Sequence, residues 1–301
     1  MNDDARAILP AMMEARDRFM ELVGEMRPEL HRYCARMTGS VFDGEDVVQD
    51  TLAKAYYALG QMFEPPNLRP WLFRIAHNTA LDYLRRSERK NVDIMPEVPD
   101  RALDEADESA ADPELVEAAL TVFVELPPLQ RGALILKDVL GHSLAETAET
   151  LGTSVGAVKA ALSRARANVL RAPRTAAARP ERSHERALLR RYADLFNDRN
   201  WEALRALIGE DARLDVVSRV QQRAATAGYF DRYARYLESE EIRAAAGVVD
   251  GVAAIAIFSP PSSAKPSYFV LLEWEDGRVT LIRDFRYVPY ISEGAHFSSS
   301  V

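Results

Sequence analysis

Apolar residues recur at helical spacing through the first 171 positions, except over 61–70 and 91–113, and the pattern shortens into strand-like runs after about position 210. Met13, Phe19, Met20, Leu22 and Val23 predict a helix over 12–25. Arg27-Pro28 opens a second helix, since proline is tolerated in a first turn; Leu30, Tyr33, Cys34 and Met37 form its stripe and Gly39 stops it. Asp43, Glu45 and Asp46 place acids where a helix dipole favours them, and this third helix runs to about Leu59, burying Val47, Val48, Leu52, Ala55 and Tyr56. Residues 61–70 hold three prolines and read as a loop. A fourth helix over 71–90 turns Trp71, Leu72, Ile75, Ala76, Leu81 and Leu84 inward, so Trp71 reads as core rather than as a stacking platform. Two more helices are predicted in 114–141, separated by Pro127-Pro128 and closed by Gly141.

Residues 143–171 carry the most specific local pattern. Leu144, Ala148 and Leu151 form one stripe of a short helix, and Gly152 ends it because glycine accepts the left-handed conformation of a sharp stop. Thr153 or Ser154 caps a second helix with Val155, Val158, Leu162, Ala165 and Val169 on its apolar side. Its other face carries Ser154, Lys159, Ser163, Arg164, Arg166 and Arg171. Two helices, a tight turn and a basic second helix make a helix-turn-helix with a DNA-reading helix, and the bland alternative is a helical hairpin with a solvated face. The helix over 71–90 offers a second polar and basic face, through Arg69, Arg74, Asn78, Arg85, Arg86, Arg89 and Lys90, which can follow a nucleic-acid backbone or simply be solvated.

Beyond position 182 the elements change. Helices are predicted over 183–197, from Asn200-Trp201 to about Ile208, and over 227–237, with a first strand over 214–217. Runs over 242–249 and 252–258 are joined by Asp250-Gly251, and runs over 268–274 and 278–285 by Asp276-Gly277, both two-residue hairpin signals. Helices first and a curled antiparallel sheet later imply an α+β fold.

Composition and charge refine this. With 48 % hydrophobic and 28 % charged residues, the chain suits a soluble globular protein of about two or three domains. No apolar run approaches the roughly 20 residues that cross a bilayer, the start shows no signal-peptide core, and Cys34 is the only cysteine, so a cytoplasmic location is expected. His31 and Cys34 sit three apart without further ligands and read as packing residues, so no metal or cofactor is expected. The net charge of −8 is concentrated in 91–113, where eight acids stand against Arg101, while 154–182 holds seven bases against Glu181. The basic stretch therefore stays credible for phosphate contact, and the acidic one reads as a flexible linker.

The stretches DGEDVVQDTLAKAY, RPWLFRIAHNTALDYLRR and ELPPLQRGALILKDVLGHSLAETAETLGTSVGAVKAALSRAR, in this order across an acidic linker, resemble the extracytoplasmic-function (ECF) sigma factors of the sigma-70 family over about 18–171. The resemblance implies a chain that directs RNA polymerase to promoters. It implies that Asp46, Gln49, Asp50 and Leu52 meet the β′ clamp helices of the polymerase core, with the β flap as a further contact. It implies that Asn67, Arg69, Arg74, Asn78, Arg85 and Arg86 hold the −10 element as single strand. Ser154, Lys159, Ser163, Arg164 and Arg166 would read the −35 element in the major groove.

The remaining elements, with YADLFNDRNWEALRAL, resemble the SnoaL-like group of the nuclear-transport-factor-2 superfamily, a conical half-barrel. Sigma factors with such a domain often carry particular glycine-rich and Asn-Pro-Asp motifs that this chain lacks, reading SRVQQR and RDFRYVPYI instead. The expected organisation is multidomain: sigma region 2 over 11–90, an acidic linker over 91–113, sigma region 4 over 114–171, a basic linker over 172–182 and a regulatory α+β domain over 183–301. The last domain is expected to pack on the first helical block, with Tyr229, Tyr233, Tyr287 and Tyr290 as candidate contacts. The alternatives are a small-molecule sensor or an isomerase- or cyclase-like enzyme using Asp215, Asp231 or Asp284. The expectation is no catalysis, because a carboxylate beside Arg219 or Arg283 is more often half of a structural ion pair.

Overall fold

The computed structural model describes residues 3–61, 67–90, 120–171, 183–217, 222–225 and 228–299. The predicted acidic and basic linkers, Arg219 and residues 62–66 of the 61–70 loop lie outside them.

The first two predicted helices are one, α1 (Asp3–Thr38), which runs straight through Pro28. An interior proline costs a helix about 3 kcal/mol. The cost is offset because Phe19 and Val23 before it and Leu30, Tyr33 and Met37 after it bury in the same core. Helix α2 (Val41–Leu59) starts two residues earlier than the acids suggest, capped by Ser40, whose hydroxyl accepts the Asp43 N–H at 3.3 Å. Gly44 lets α2 lie against α1: a Cβ there would meet the backbone of Ala35 at 2.6 Å. Helix α3 (Leu68–Lys90) crosses both and buries Trp71, Leu72 and Phe73.

Helices α4 (Leu120–Val124) and α5 (Pro128–Leu134) follow, split at Pro127-Pro128. The chain then widens into a π-helical turn (Ile135–Val139), in which the Leu140 N–H reaches back to the Ile135 carbonyl. Helix α6 (Leu144–Leu151) carries a full capping box between Ser143 and Glu146, and Gly152 closes it in the left-handed region at φ 63°. Ser154 caps α7 (Val155–Arg171) by accepting the Ala157 N–H at 3.2 Å. Val158, Leu162 and Ala165 are buried as predicted, but Val155 is 40 % exposed. The first turn of α7 projects past the core, so Val155 has nothing of this chain to bury against.

The two helical blocks share one core. Arg131 on α5 is buried and donates to the carbonyls of Met37, at the end of α1, and of Val124 and Leu126. Those acceptors include a helix-terminal carbonyl that has no partner within its own helix. Beside it, a Cβ on Gly132 would meet Leu151 at 3.0 Å and the Tyr33 hydroxyl at 3.3 Å.

After α8 (Ser183–Asn197) and α9 (Trp201–Leu207), strands β1 (Ile208–Val216), β2 (Gln222–Ala225), β3 (Arg243–Val249), β4 (Val252–Phe258), β5 (Tyr268–Glu275), β6 (Arg278–Asp284) and β7 (Phe297–Ser299) form a seven-stranded sheet ordered β2-β1-β6-β5-β4-β3-β7. Helix α10 (Tyr229–Tyr236) lies between β2 and β3 in the chain. The sheet is not wholly antiparallel: β1 runs parallel to β6. Both Asp-Gly pairs make their hairpins with positive φ at each residue, 49° and 81°, and 50° and 76°. One face packs on α8–α10 through Ile255, Ile257, Tyr268, Val270 and Leu272. The alternate residues Ala254, Ala256, Phe258 and Phe269 point the other way, into a cluster with Phe285, Ala35, Val41, Phe42 and Leu120. Burial on both faces explains why 252–258 reads as an unbroken apolar run rather than an alternating one.

His77 reports on the shared helical core. It is buried, its Nδ1 accepts the Tyr33 hydroxyl at 2.8 Å, and burial drops its pKa to about 4. Its folded pKa lies below the unfolded value near 6.5, so its stabilisation is present above pH 6.5 and lost as pH falls towards 4. Urea unfolding at pH 7 and at pH 4.5 should differ by roughly 2–3 kcal/mol from this group. His77→Gln should remove that part of the slope. An unchanged slope in the variant would assign the acid sensitivity elsewhere.

Candidate polymerase and nucleic-acid surfaces

On α2, Asp46, Gln49 and Asp50 follow helical spacing and line one groove of about 320 Å³ together with Asp215, Glu273, Leu281 and Arg283 from the sheet. Leu52 does not join them; it is half-buried against the helical core. The Arg283 guanidinium forks onto the Asp46 carboxylate, with one N···O distance of 3.2 Å and a shorter partner beside it. Asp50 is exposed and faces Arg86 of α3 at 4.0 Å. Glu45, one residue from Asp46, is fully buried. It accepts from Arg27, from Gln49 at 3.2 Å and from the Tyr290 hydroxyl at 3.0 Å. Tyr290 also packs against His31 with the rings tilted and 5.2 Å apart, and the His31 Nε2 donates to the Val41 carbonyl. Burial holds the His31 pKa below its usual range and pushes the Cys34 thiol up, so both are packing groups.

The start of α2 has a second cap from far along the chain. Asp250, at the β3–β4 turn, accepts the Val41 N–H at 3.4 Å and the His296 N–H at 3.0 Å. Burial pushes its carboxyl up to about 6, which leaves it largely ionised at neutral pH as the acceptor of both. Phe42 completes the contact, edge-on to Phe269 at 5.8 Å and tilted on Phe285 at 5.1 Å. Of the four tyrosines singled out from the sequence, Tyr290 alone makes a described contact with α2. Tyr229 and Tyr233 are buried inside the sheet's own core, and Tyr287 bonds to Tyr236 at 2.7 Å.

The basic faces are more selective than the sequence suggests. On α3, Arg74, Asn78, Arg85 and Arg86 are exposed, as is Asn67 before it, while Asp82 interrupts the face and pairs with Arg85 at 3.5 Å. Arg69 is held by Glu29 and lies over the Phe73 ring at 6.0 Å. On α7, Ser154 and Lys159 are exposed, whereas Ser163 and Arg164 are half-buried. Arg166 forks onto the buried Asp138 of the π-helical turn, with both N···O distances 2.8 Å. Arg166 thus fastens α7 to its own core, and the accessible end of the helix is its first two turns.

The carboxylates weighed as catalytic groups separate. Asp231 pairs with Arg205. Asp284 is buried and accepts from Tyr229 at 2.9 Å, Tyr233 at 2.7 Å and the Arg286 N–H at 2.9 Å, with burial raising its pKa. Asp215 lines the groove beside Asp46. Among the described residues no three His, Cys, Asp or Glu side chains gather as a metal site, and no helix is long and apolar enough to cross a membrane.

Sequence comparison matches residues 22–90 to the family description Sigma-70 region 2 and residues 117–169 to Sigma-70, region 4. The ECF RNA polymerase sigma factor SigG of Mycobacterium tuberculosis H37Rv is 36 % identical over 210 residues, covering 61 % of this chain and 57 % of that protein. The chain thus spans little more than half the length of that relative. The ECF sigma factor SigM of the same strain is 30 % identical over 168 residues, covering 56 % of this chain and 83 % of SigM. A crystal structure of the M. tuberculosis ECF sigma factor SigJ, at 21 % identity, aligns over 91 % of this chain and 98 % of that one with a TM-score of 0.36.

The Arg283–Asp46 fork is testable as a pair. Its side chains are 15 % and 40 % exposed. Solvent screening therefore limits its coupling to about 1 kcal/mol. Unfolding free energies of Arg283→Ala, Asp46→Ala and the double variant should show a coupling of that size. Strict additivity would show that the two side chains do not interact in solution.

Proposed function

The chain belongs to the ECF sigma factors of the sigma-70 family, and from that premise we propose that it is a transcription initiation factor. It binds core RNA polymerase through the acidic face of α2, chiefly Asp46, Gln49 and Asp50, with Leu52 shaping that helix from the core side. It holds the −10 element along Asn67, Arg69, Arg74, Asn78, Arg85 and Arg86, and reads the −35 element with the first turns of α7. The division of labour is physically sound: duplex suits a helix in the major groove, and melted DNA suits a basic face beside a loop. The observation that supports this reading is the pair of region 2 and region 4 matches, in order, the first ending on the exposed basic face of α3 and the second on α7, whose first turns expose Ser154 and Lys159.

On this reading the domains run over 11–90, 114–171 and 183–301, joined by the linkers 91–113 and 172–182. The third is a SnoaL-like cone that regulates rather than catalyses. Two observations support regulation. Arg283 occupies the Asp46 carboxylate that would otherwise meet a basic partner on the polymerase, and Phe42 and Glu45 on the same helix are engaged by Phe269, Phe285 and Tyr290. The cone and the polymerase therefore compete for one face of α2. The paired or buried state of Asp231 and Asp284 supports a structural role for both.

Run-off transcription from a library of genomic fragments, with purified core polymerase, tests the main reading. Discrete start sites should appear only when the chain is present. Asp46→Lys with Asp50→Lys should cut core binding at least tenfold, since a basic partner would then meet like charge. Arg283→Ala, and a chain ending near Arg171, should both bind core more tightly than the full chain. An absence of start sites sinks the sigma reading. Equal core binding by Arg283→Ala and the full chain sinks the competition.

A further inference from the structure

The first turn of α7 contains two residues that the fold does not need. Val155 belongs by spacing to the buried stripe, yet it is 40 % exposed and packs outside the core that takes Val158, Leu162 and Ala165. Gly156 follows it inside the helix. A Cβ there would meet nothing closer than the Ser154 hydroxyl at 3.9 Å, and its φ is not positive. Neither crowding within the chain nor a left-handed backbone calls for glycine at this first-turn position. The backbone at Gly156 is exposed and open to close approach from outside the chain.

The neighbouring positions say what kind of surface this is. Lys159 and Ala160 lie one turn further on and are also exposed. Val155, Gly156, Lys159 and Ala160 make one face: an apolar branched side chain, a bare backbone, a methyl group and a single cation. In a helix-turn-helix the N-terminal residues of the second helix meet base edges. In the major groove only thymine presents a methyl group, and it is read by apolar contact.

We propose that Val155 reads a thymine methyl group in the −35 element, with Gly156 letting the helix backbone come close enough for that contact. The inference rests on the reading of α7 as the major-groove helix. It adds a specificity-determining residue where charge and hydrogen bonding alone had been assigned, and it makes one thymine, rather than a guanine, the base read by the start of the helix.

Replacing thymine by deoxyuridine removes that one methyl and nothing else. The probe is a duplex recovered from a randomised pool by the full chain in complex with core polymerase. Each thymine is replaced in turn, and affinity is read by fluorescence anisotropy. One replacement should weaken the wild-type complex about fourfold, the factor that losing one buried methyl gives. With Val155→Ser the thymine duplex should bind about fourfold more weakly and the same replacement should become silent. Val155→Ile should keep the penalty. Gly156→Ala should weaken binding while leaving the unfolding midpoint unchanged or higher. Two results overturn the inference alone: Lys159→Ala weakens binding but no deoxyuridine does, or the penalty survives in Val155→Ser. If neither Lys159→Ala nor any deoxyuridine changes affinity, the reading of α7 as the DNA-facing helix fails, and the inference with it.

Discussion

A carboxylate with no exposure to solvent is tolerated only where charge and hydrogen bonds converge on it, and Glu45 is such a group. Arg27 comes to it from α1, Gln49 from one turn further along α2, and Tyr290 from the C-terminal block. Three parts of the chain are therefore tied at one point. Removing one partner of a buried ion pair leaves an uncompensated charge, which costs on the order of 3–5 kcal/mol. The surrounding contacts depend on this anchor. His31 packs on Tyr290, Asp250 caps Val41, and Phe42 enters the sheet's apolar face. Each sits where the Glu45 contacts already hold α1, α2 and the sheet together.

The basic residues divide along similar lines. Arg131 and Arg166 spend their guanidinium groups inside the protein, on carbonyls and on Asp138, while the part-exposed Arg69 pairs with Glu29. Arg74, Arg85, Arg86 and Lys159 remain on the surface. Arginine's planar fork suits the first task as well as it suits phosphate. A count of positive charge thus overstates the surface that nucleic acid can use. Of these four, Arg74, Arg85 and Arg86 lie along the middle and end of α3 and Lys159 at the start of α7.

What the sequence made legible was local. The capping box at Ser143 and Glu146, the stop at Gly152 and both Asp-Gly hairpins follow from rules that span a few residues, and all are present where the pattern placed them. Periodicity found the helices, but it could not see that Pro28 would be carried through by a common core on both sides. Nor could it tell that Val155 would overhang that core. The short strands β2 and β7 carry too few residues to show a period. Partners distant in sequence were beyond reach. Asp46 and Arg283 are 237 positions apart, and nothing in either neighbourhood names the other. The tyrosines show the same limit from the opposite side: their type suggested a contact surface, but Tyr229 and Tyr233 serve the buried Asp284 instead.

The seam at Arg131 and Gly132, where the two helical blocks share one interior, has a geometric consequence. Promoter elements named for positions −10 and −35 lie about 25 base pairs apart, or roughly 85 Å of duplex at ~3.4 Å per pair. A compact body of about 150 residues has a radius of gyration on the order of 15 Å. The arrangement described here cannot touch both elements at once. A factor that works at such a promoter must part this seam, uncovering the apolar residues around Tyr33 and Leu151 and taking the Met37 carbonyl away from the Arg131 guanidinium. Water is a poor substitute for that interior. For a factor of that kind, the surface that replaces it would have to come from a partner.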